Sequence, residues 1–260
     1  MNTTKTETFK FQLIKKLQEK AGEEPMAVIK EGTISYLVLN DKANNFDPER
    51  LKLMHKMLDK VEADKECKLM ITISTTEKFY STGFNLAFFT KVKEGAVQLT
   101  VAMLKLFARI LTFPIPTMAV TQGHAFAGGM LLALVHDKRI CLKDNARWCM
   151  NEMQIGISIY EGYAAMLKEL LPPHVARDCM WGGKYSVQDL QKEKVISEIY
   201  ETDEQLEKLI AQYAQFFSAT AHFREVIHDT KKSLHKDLYK ALMAGRVSPI
   251  TYTYISGIRL

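Results

Sequence analysis

The chain has 260 residues, 47% hydrophobic and 25% charged, which is enough for one large core. Its net charge of +5 is spread along the sequence with no basic stripe, so nothing marks a nucleic-acid reader. Lys or Arg interrupts every apolar run before membrane-spanning length. The four cysteines (Cys67, Cys141, Cys149, Cys179) lack zinc-type spacing and no secretory leader precedes them, which points to reduced thiols inside a cell and to no metal.

Residues 1–25 read as an extension rich in Thr, Lys and Glu. Only Phe9, Phe11, Leu13, Ile14 and Leu17 offer an apolar stripe, so the segment is expected to be a docking arm. Glu7 and Glu19, with no arginine nearby, weaken a mitochondrial targeting helix. From Met26 the pattern turns regular. Met26–Ile29 and Ile34–Leu39 predict strands around a Glu31-Gly32 turn. Asp47-Pro48-Glu49 predicts a helix start: a capping carboxylate, proline in the first turn and an acid at the positive end. Leu51, Met54, Met57, Leu58 and Val61 then follow at helical spacing.

Leu69–Ser74 predicts a buried strand, 96–111 a helix stopped by Pro114 and Pro116, and Met118–Val120 another strand. Helix is expected from Gly128 to Val135, then strands at Arg139–Leu142 and Trp148–Met150. This alternation predicts an α/β domain over residues 26–200. Residues 201–260 read as helical only, Asp203–Phe217 and one long helix over Thr220–Ala244. They carry too few apolar positions for a separate core. No internal sequence repeat stands out.

Three segments carry chemistry. In Lys78–Leu86, Gly83 permits a turn that leaves the Phe84 N–H available; a capped surface turn explains the same residues. In Gly123–Gly129, adjacent glycines open an apolar helix, which suits either close ligand approach or a tight helix–strand crossing. Glu152 lies within Trp148–Ile157, where desolvation would raise its pKa toward that of a general base. A salt bridge to Arg147 or Lys168 is the plainer alternative. His124 and His136 flank an apolar helix and read as packed or surface residues rather than metal ligands.

In this order and spacing the three segments resemble the crotonase, or enoyl-CoA hydratase/isomerase, superfamily, from about Val28 to Tyr200. Leu39-Asn40-Asp41-Lys42-Ala43-Asn44-Asn45-Phe46 is similar to the family's first strand and CoA-contacting loop. The resemblance implies a spiral of β-β-α units with a C-terminal helical trimerisation region. It implies the Phe84 and Gly128 N–H groups as an oxyanion hole, and CoA contacts at Lys42, Ala43, Lys78 and Ser81. Leu131, Trp148 and Ile155 are expected in the acyl pocket. Trimers or hexamers, an acyl-CoA substrate and no separate cofactor are likewise implied.

Hydratases of this superfamily carry a glutamate where this chain has Leu131, and a second matching Glu152. A single acid resembles the pattern of monofunctional 3-enoyl-CoA isomerases, which move the double bond to the trans-2 position with one carboxylate. Two other readings stay open. A hydratase or hydrolase would need a second acid, for which Glu161 is the nearest candidate. A catalytically silent subunit of a larger assembly is the other, given the arm and the bulk of Phe84. The ending Ile258-Arg259-Leu260 partly matches a peroxisomal import signal, with Ile258 in place of a small residue; the mitochondrial matrix is the alternative.

Overall fold

The computed structural model describes residues 11–91, 93–144 and 146–247. In chain order its strands are β1 (Met26–Glu31), β2 (Ile34–Leu39), β3 (Leu69–Ser74), β4 (Phe79–Ser81), β5 (Thr117–Thr121), β6 (His124–Phe126), β7 (Lys138–Leu142), β8 (Arg147–Cys149), β9 (Tyr185–Ser186) and β10 (Glu198–Tyr200). Its helices are α1 (Gln12–Ala21), α2 (Pro48–Ala63), α3 (Leu86–Lys91), α4 (Lys93–Leu111), α5 (Gly128–Leu134), α6 (Glu161–Leu170), α7 (Pro173–Met180), α8 (Val187–Lys192), α9 (Asp203–Ser218), α10 (Arg224–Leu234) and α11 (Lys236–Ala244).

One sheet has the order β1-β2-β3-β5-β7-β10 and the other β4-β6-β8-β9. Successive strands go alternately to the two sheets: β3 then β4, β5 then β6, β7 then β8. Each pair is followed by helix, so the chain winds as a spiral of β-β-α units. Pairing is parallel through β2, β3, β5, β7 and β10, while β1 runs antiparallel on β2. The second sheet is parallel through β4, β6 and β8 and antiparallel at β9.

A strand buried on both faces needs apolar residues at every position, and β3 (LMITIS) is buried throughout. Its alternate side chains feed two cores. Leu69, Ile71 and Ile73 face a layer closed by α1 and α9, while Met70 faces the larger core with α2, α4 and α5. Thr72 and Ser74 are the polar exceptions: Ser74 Oγ donates to the Phe79 carbonyl at 2.9 Å, and Thr72 Oγ1 lies 2.8 Å from His136 Nε2, whose Nδ1 in turn meets the Leu132 carbonyl. Full burial holds the His136 pKa down at about 4, so the ring is neutral and structural.

The described part of the proposed arm, residues 11–25, belongs to this architecture, and Phe9 lies outside the described residues. Leu13, Ile14, Leu17 and Ala21 of α1 are buried on the sheet face that β1 and β2 present. The helix start at Asp47 is as expected, its carboxylate accepting the Arg50 N–H at 2.9 Å with Pro48 in the first turn. The long C-terminal helix is instead two, broken at His235, whose Nδ1 lies 2.6 Å from Glu169. Leu238 and Leu242 of α11 are buried where that helix packs on α4 and α6. The Arg224 guanidinium donates to the Glu62, Asp64 and Cys67 carbonyls at the end of α2, fastening the helical region to the core. The ending 258–260 lies outside the described residues.

Candidate active site

Two tight turns meet at the point where the second sheet hands the chain to helix. Gly83 follows β4 with φ +77°, a conformation that L side chains avoid, and a Cβ there would lie 2.5 Å from the Gly128 nitrogen. At Gly129 a Cβ would collide with the Ser81 carbonyl. The backbones of the two segments therefore touch because neither carries a side chain. The tight helix–strand crossing is thus what these glycines make possible here.

The orientation of each N–H follows from its neighbours. Phe46 donates to the Gly83 carbonyl at 2.7 Å, and Asn85 donates to the Phe46 carbonyl at 2.8 Å. In a parallel bridge this pattern turns the N–H of the intervening residue, Phe84, to the side away from Phe46. Gly128 opens α5, so its N–H has no acceptor within the helix. Ahead of it Ala127 is held at φ +52°, ψ −127°, a costly conformation for a residue with a Cβ. Its N–H is tied to the Cys149 carbonyl at 2.8 Å, which fixes α5 against β8.

Glu152 comes three residues after β8, at the start of a single 3₁₀ turn (Met153–Ile155) closed by Gly156 at φ +74°. Its carbonyl accepts from Ile155 at 3.1 Å and Ile157 at 2.9 Å, which pins the backbone. The side chain makes no ion pair among the described residues, so neither Arg147 nor Lys168 neutralises it, and Oε2 is buried without a hydrogen-bond partner. Loss of solvent pushes its pKa up to about 7, and a bond from its own backbone N–H pulls less strongly the other way. A carboxyl poised near neutrality, with a vacant oxygen, is suited to take and return a proton.

Phe84, Ala127, Glu152 and Ile155 line one cavity of about 320 Å³. Ile157, Tyr160 and Tyr163 supply further wall, and Asn45, Thr82, Asn85 and Asn151 its polar side. No Lys, Arg or His lines it among the described residues. The carboxyl thus faces aromatic and aliphatic groups on one flank and the strained Ala127 turn on another.

Of the expected acyl-pocket residues, only Ile155 borders this space. Leu131 and Trp148 are fully buried in the core, because α5 and β8 turn them toward the interior behind the cavity. Ser81, expected at CoA, is buried beside the Gly83 turn. Its buried hydroxyl donates to the Asn44 carbonyl at 2.7 Å and accepts the Gly83 N–H at 3.1 Å, bracing the turn. Ala43 offers its carbonyl to the Thr82 N–H at 3.0 Å, joining the 40–46 loop to the cavity edge. Lys42 and Lys78 are exposed outside the cavity, the latter with Nζ 5.1 Å from the Phe79 ring centre. Glu161, the nominated second acid, is also outside it, exposed at the start of α6 with Arg246 3.5 Å away.

Sequence reasoning missed Tyr160, Tyr163 and the strut Asn44. Asn44 is buried at φ +45°, and its amide donates to Ser74 Oγ at 2.9 Å and the Tyr80 carbonyl at 3.1 Å. The Asn44-Asn45 pair is a detectable sign of such a turn, since Asn tolerates positive φ. The tyrosines gave no comparable sign, because in a helix they read as ordinary core.

The sequence matches the Enoyl-CoA hydratase/isomerase family profile over residues 30–251. It is 26% identical over 223 residues to enoyl-CoA delta isomerase 2, peroxisomal, of Arabidopsis thaliana, covering 80% of this chain and 91% of that protein. It is 24% identical over 228 residues to carnitinyl-CoA dehydratase of Salmonella typhimurium, covering 85% and 87% respectively. A crystal structure of an enoyl-CoA hydratase/isomerase family protein from Pseudomonas syringae superposes with a TM-score of 0.78 at 21% identity, covering 85% of this chain and 95% of that one.

Proposed function

The chain belongs to the enoyl-CoA hydratase/isomerase family, and from that premise we propose that it is an isomerase moving the double bond of 3-enoyl-CoA to the trans-2 position. The observation that carries this reading is the single acid lining the cavity among the described residues. Glu152 lines it, Glu161 lies outside, and the core position of Leu131 holds no carboxylate at all. Water addition across a double bond wants one group to activate water and another to handle the carbon acid. Isomerisation needs only one.

In this mechanism ionised Glu152 removes a proton from the α carbon of the thioester. The C–H electron pair delocalises through the alkene, and the negative charge gathers on the carbonyl oxygen. The Phe84 and Gly128 N–H groups receive that oxygen; one such donor is worth roughly 3 kcal/mol of transition-state stabilisation in comparable sites. The carboxyl then delivers the proton to the γ carbon, leaving the bond between the α and β carbons and regenerating the carboxylate. Apolar walls limit exchange with bulk water during the transfer.

Lys42 and Lys78 are placed at the CoA phosphates in this reading, since the 40–46 loop is hydrogen-bonded to the cavity edge at Thr82. Self-association into trimers is supported by apolar side chains left exposed on the C-terminal helices, among them Phe216, Val226 and Leu234. A peroxisomal site and a role in fatty-acid β-oxidation are supported by the name of the Arabidopsis relative, a peroxisomal enoyl-CoA delta isomerase. The test is conversion by the purified protein of 3-enoyl-CoA to the trans-2 isomer, followed beside hydration of 2-enoyl-CoA. Isomerisation without hydration is expected; hydration as the dominant reaction would overturn the proposal.

A further inference from the structure

Two of the side chains that line the cavity carry a buried polar atom with no hydrogen-bond partner. Glu152 does so through Oε2, which the proton transfer uses. Tyr163 does so through its hydroxyl, which the transfer does not use. The other polar residues lining the cavity leave no buried atom unsatisfied.

Tyr163 is 2% exposed in the first turn of α6. Its ring is confined by three others: Phe84 at 6.4 Å, Phe107 at 6.1 Å and Tyr160 at 5.8 Å between centres. A ring held on three sides has few places to put its oxygen. A buried hydroxyl with no acceptor is unfavourable, so its retention calls for a partner that another state supplies. Glu152 supplies one on ionisation. The carboxylate gains charge in a space with no cation, and its Oε2 lacks a donor.

We infer that Tyr163 is a positioning residue for Glu152: its hydroxyl donates to one oxygen of the ionised carboxylate and turns the other toward the carbon acid. Burial, with the Glu152 charge adding to it, holds the phenol pKa well above its ordinary value, so the proton stays on Tyr163. Glu152 also acts on Cys149 of β8 and Cys179 of α7. Burial raises them to about 11 and about 12, so both are neutral and add no competing charge. The direction of the effect follows. A donor to the charged form favours it, so Tyr163 keeps the carboxyl more acidic than burial alone would make it.

The inference rests on the proposed reaction only for the meaning of the alignment; the hydrogen bond itself is testable without turnover. Glutamate labelled with ¹³C at the side-chain carboxyl is incorporated into the full chain, and the Glu152 signal is identified by its loss in Glu152→Gln. Tyr163→Phe is expected to raise the Glu152 titration midpoint by about one pH unit or more. An unchanged or lowered midpoint overturns the inference. Should Tyr163→Phe not fold, the ring Cζ shift of Tyr163 in the wild type decides: it is expected to follow the Glu152 midpoint, and a flat response overturns the assignment. In the isomerase assay the acid limb of kcat/KM is expected to move up by the same amount. A wild type that turns over no 3-enoyl-CoA sinks the reaction proposal, while the carboxyl titration still judges Tyr163.

Discussion

A methyl group added at Gly83 should separate the two N–H groups proposed as oxyanion donors, those of Phe84 and Gly128, while leaving Glu152 in place. In Gly83→Ala the new Cβ would lie 2.5 Å from the Gly128 nitrogen and 3.0 Å from its Cα. Favourable contact needs about 3.5 Å, so one of the two turns must retreat by roughly 1 Å. The left-handed backbone (φ +77°) adds about 1–2 kcal/mol, and overpacking a further ~1–3 kcal/mol, so the variant should fold but melt several degrees lower. A displacement of about 1 Å at a reacting centre costs on the order of 10²-fold, comparable to losing one oxyanion donor. The assay is kcat for 3-enoyl-CoA at saturation, with melting temperature recorded on the same sample. Gly22→Ala separates the two effects: its φ is +60° but a Cβ there meets nothing within 4 Å, so it should lose about 1 kcal/mol of stability and no activity. A folded Gly83→Ala enzyme with wild-type kcat would refute the role given to these turns.

Other outcomes follow from the same coordinates. Ala127→Gly relieves a positive-φ conformation and should raise stability by about 1 kcal/mol, a gain of roughly 2–4 °C in a melting curve. Glu152 has a native pKa of about 7, above the 4.5 of an unperturbed carboxyl, so its favourable contribution is complete below pH 4.5 and is lost as pH rises through 7. Glu152→Gln should therefore match the wild type at low pH and exceed its stability at pH 8 by at most about 3 kcal/mol in urea titrations. Under the proposed self-association Leu234, 74% exposed on α10, sits between copies, so Leu234→Asp should lower the mass seen by sedimentation without lowering helix content.

Legibility tracked the length of the signal. The helix at 48–63 announced itself by a capping Asp, a first-turn Pro and five apolar residues at helical spacing, and β3 by five apolar or β-branched residues in a row, Leu69 to Ile73. Strands β4, β6 and β8 have three residues each, too few to show a period of two, although they carry the chain to the cavity. The repeat of the spiral is equally hidden, because it consists of which sheet each strand joins and not of recurring residues. Within the site, Glu152 and Ile155 border the cavity while Leu131 and Trp148 back into the core. An apolar side chain near a catalytic segment reads alike in either place, and only the turn of α5 and β8 tells them apart. Tyr163 was invisible for the same reason: its orphaned hydroxyl is a property of packing, not of sequence.

Glu152→Gln, assayed with 3-enoyl-CoA at pH 8 beside the wild type, bears most directly on whether one carboxylate carries the proton. Removing the only acid that lines the cavity among the described residues should cut kcat by about 10²–10⁴-fold while the variant stays folded. A glutamine enzyme within tenfold of the wild type would contradict the account.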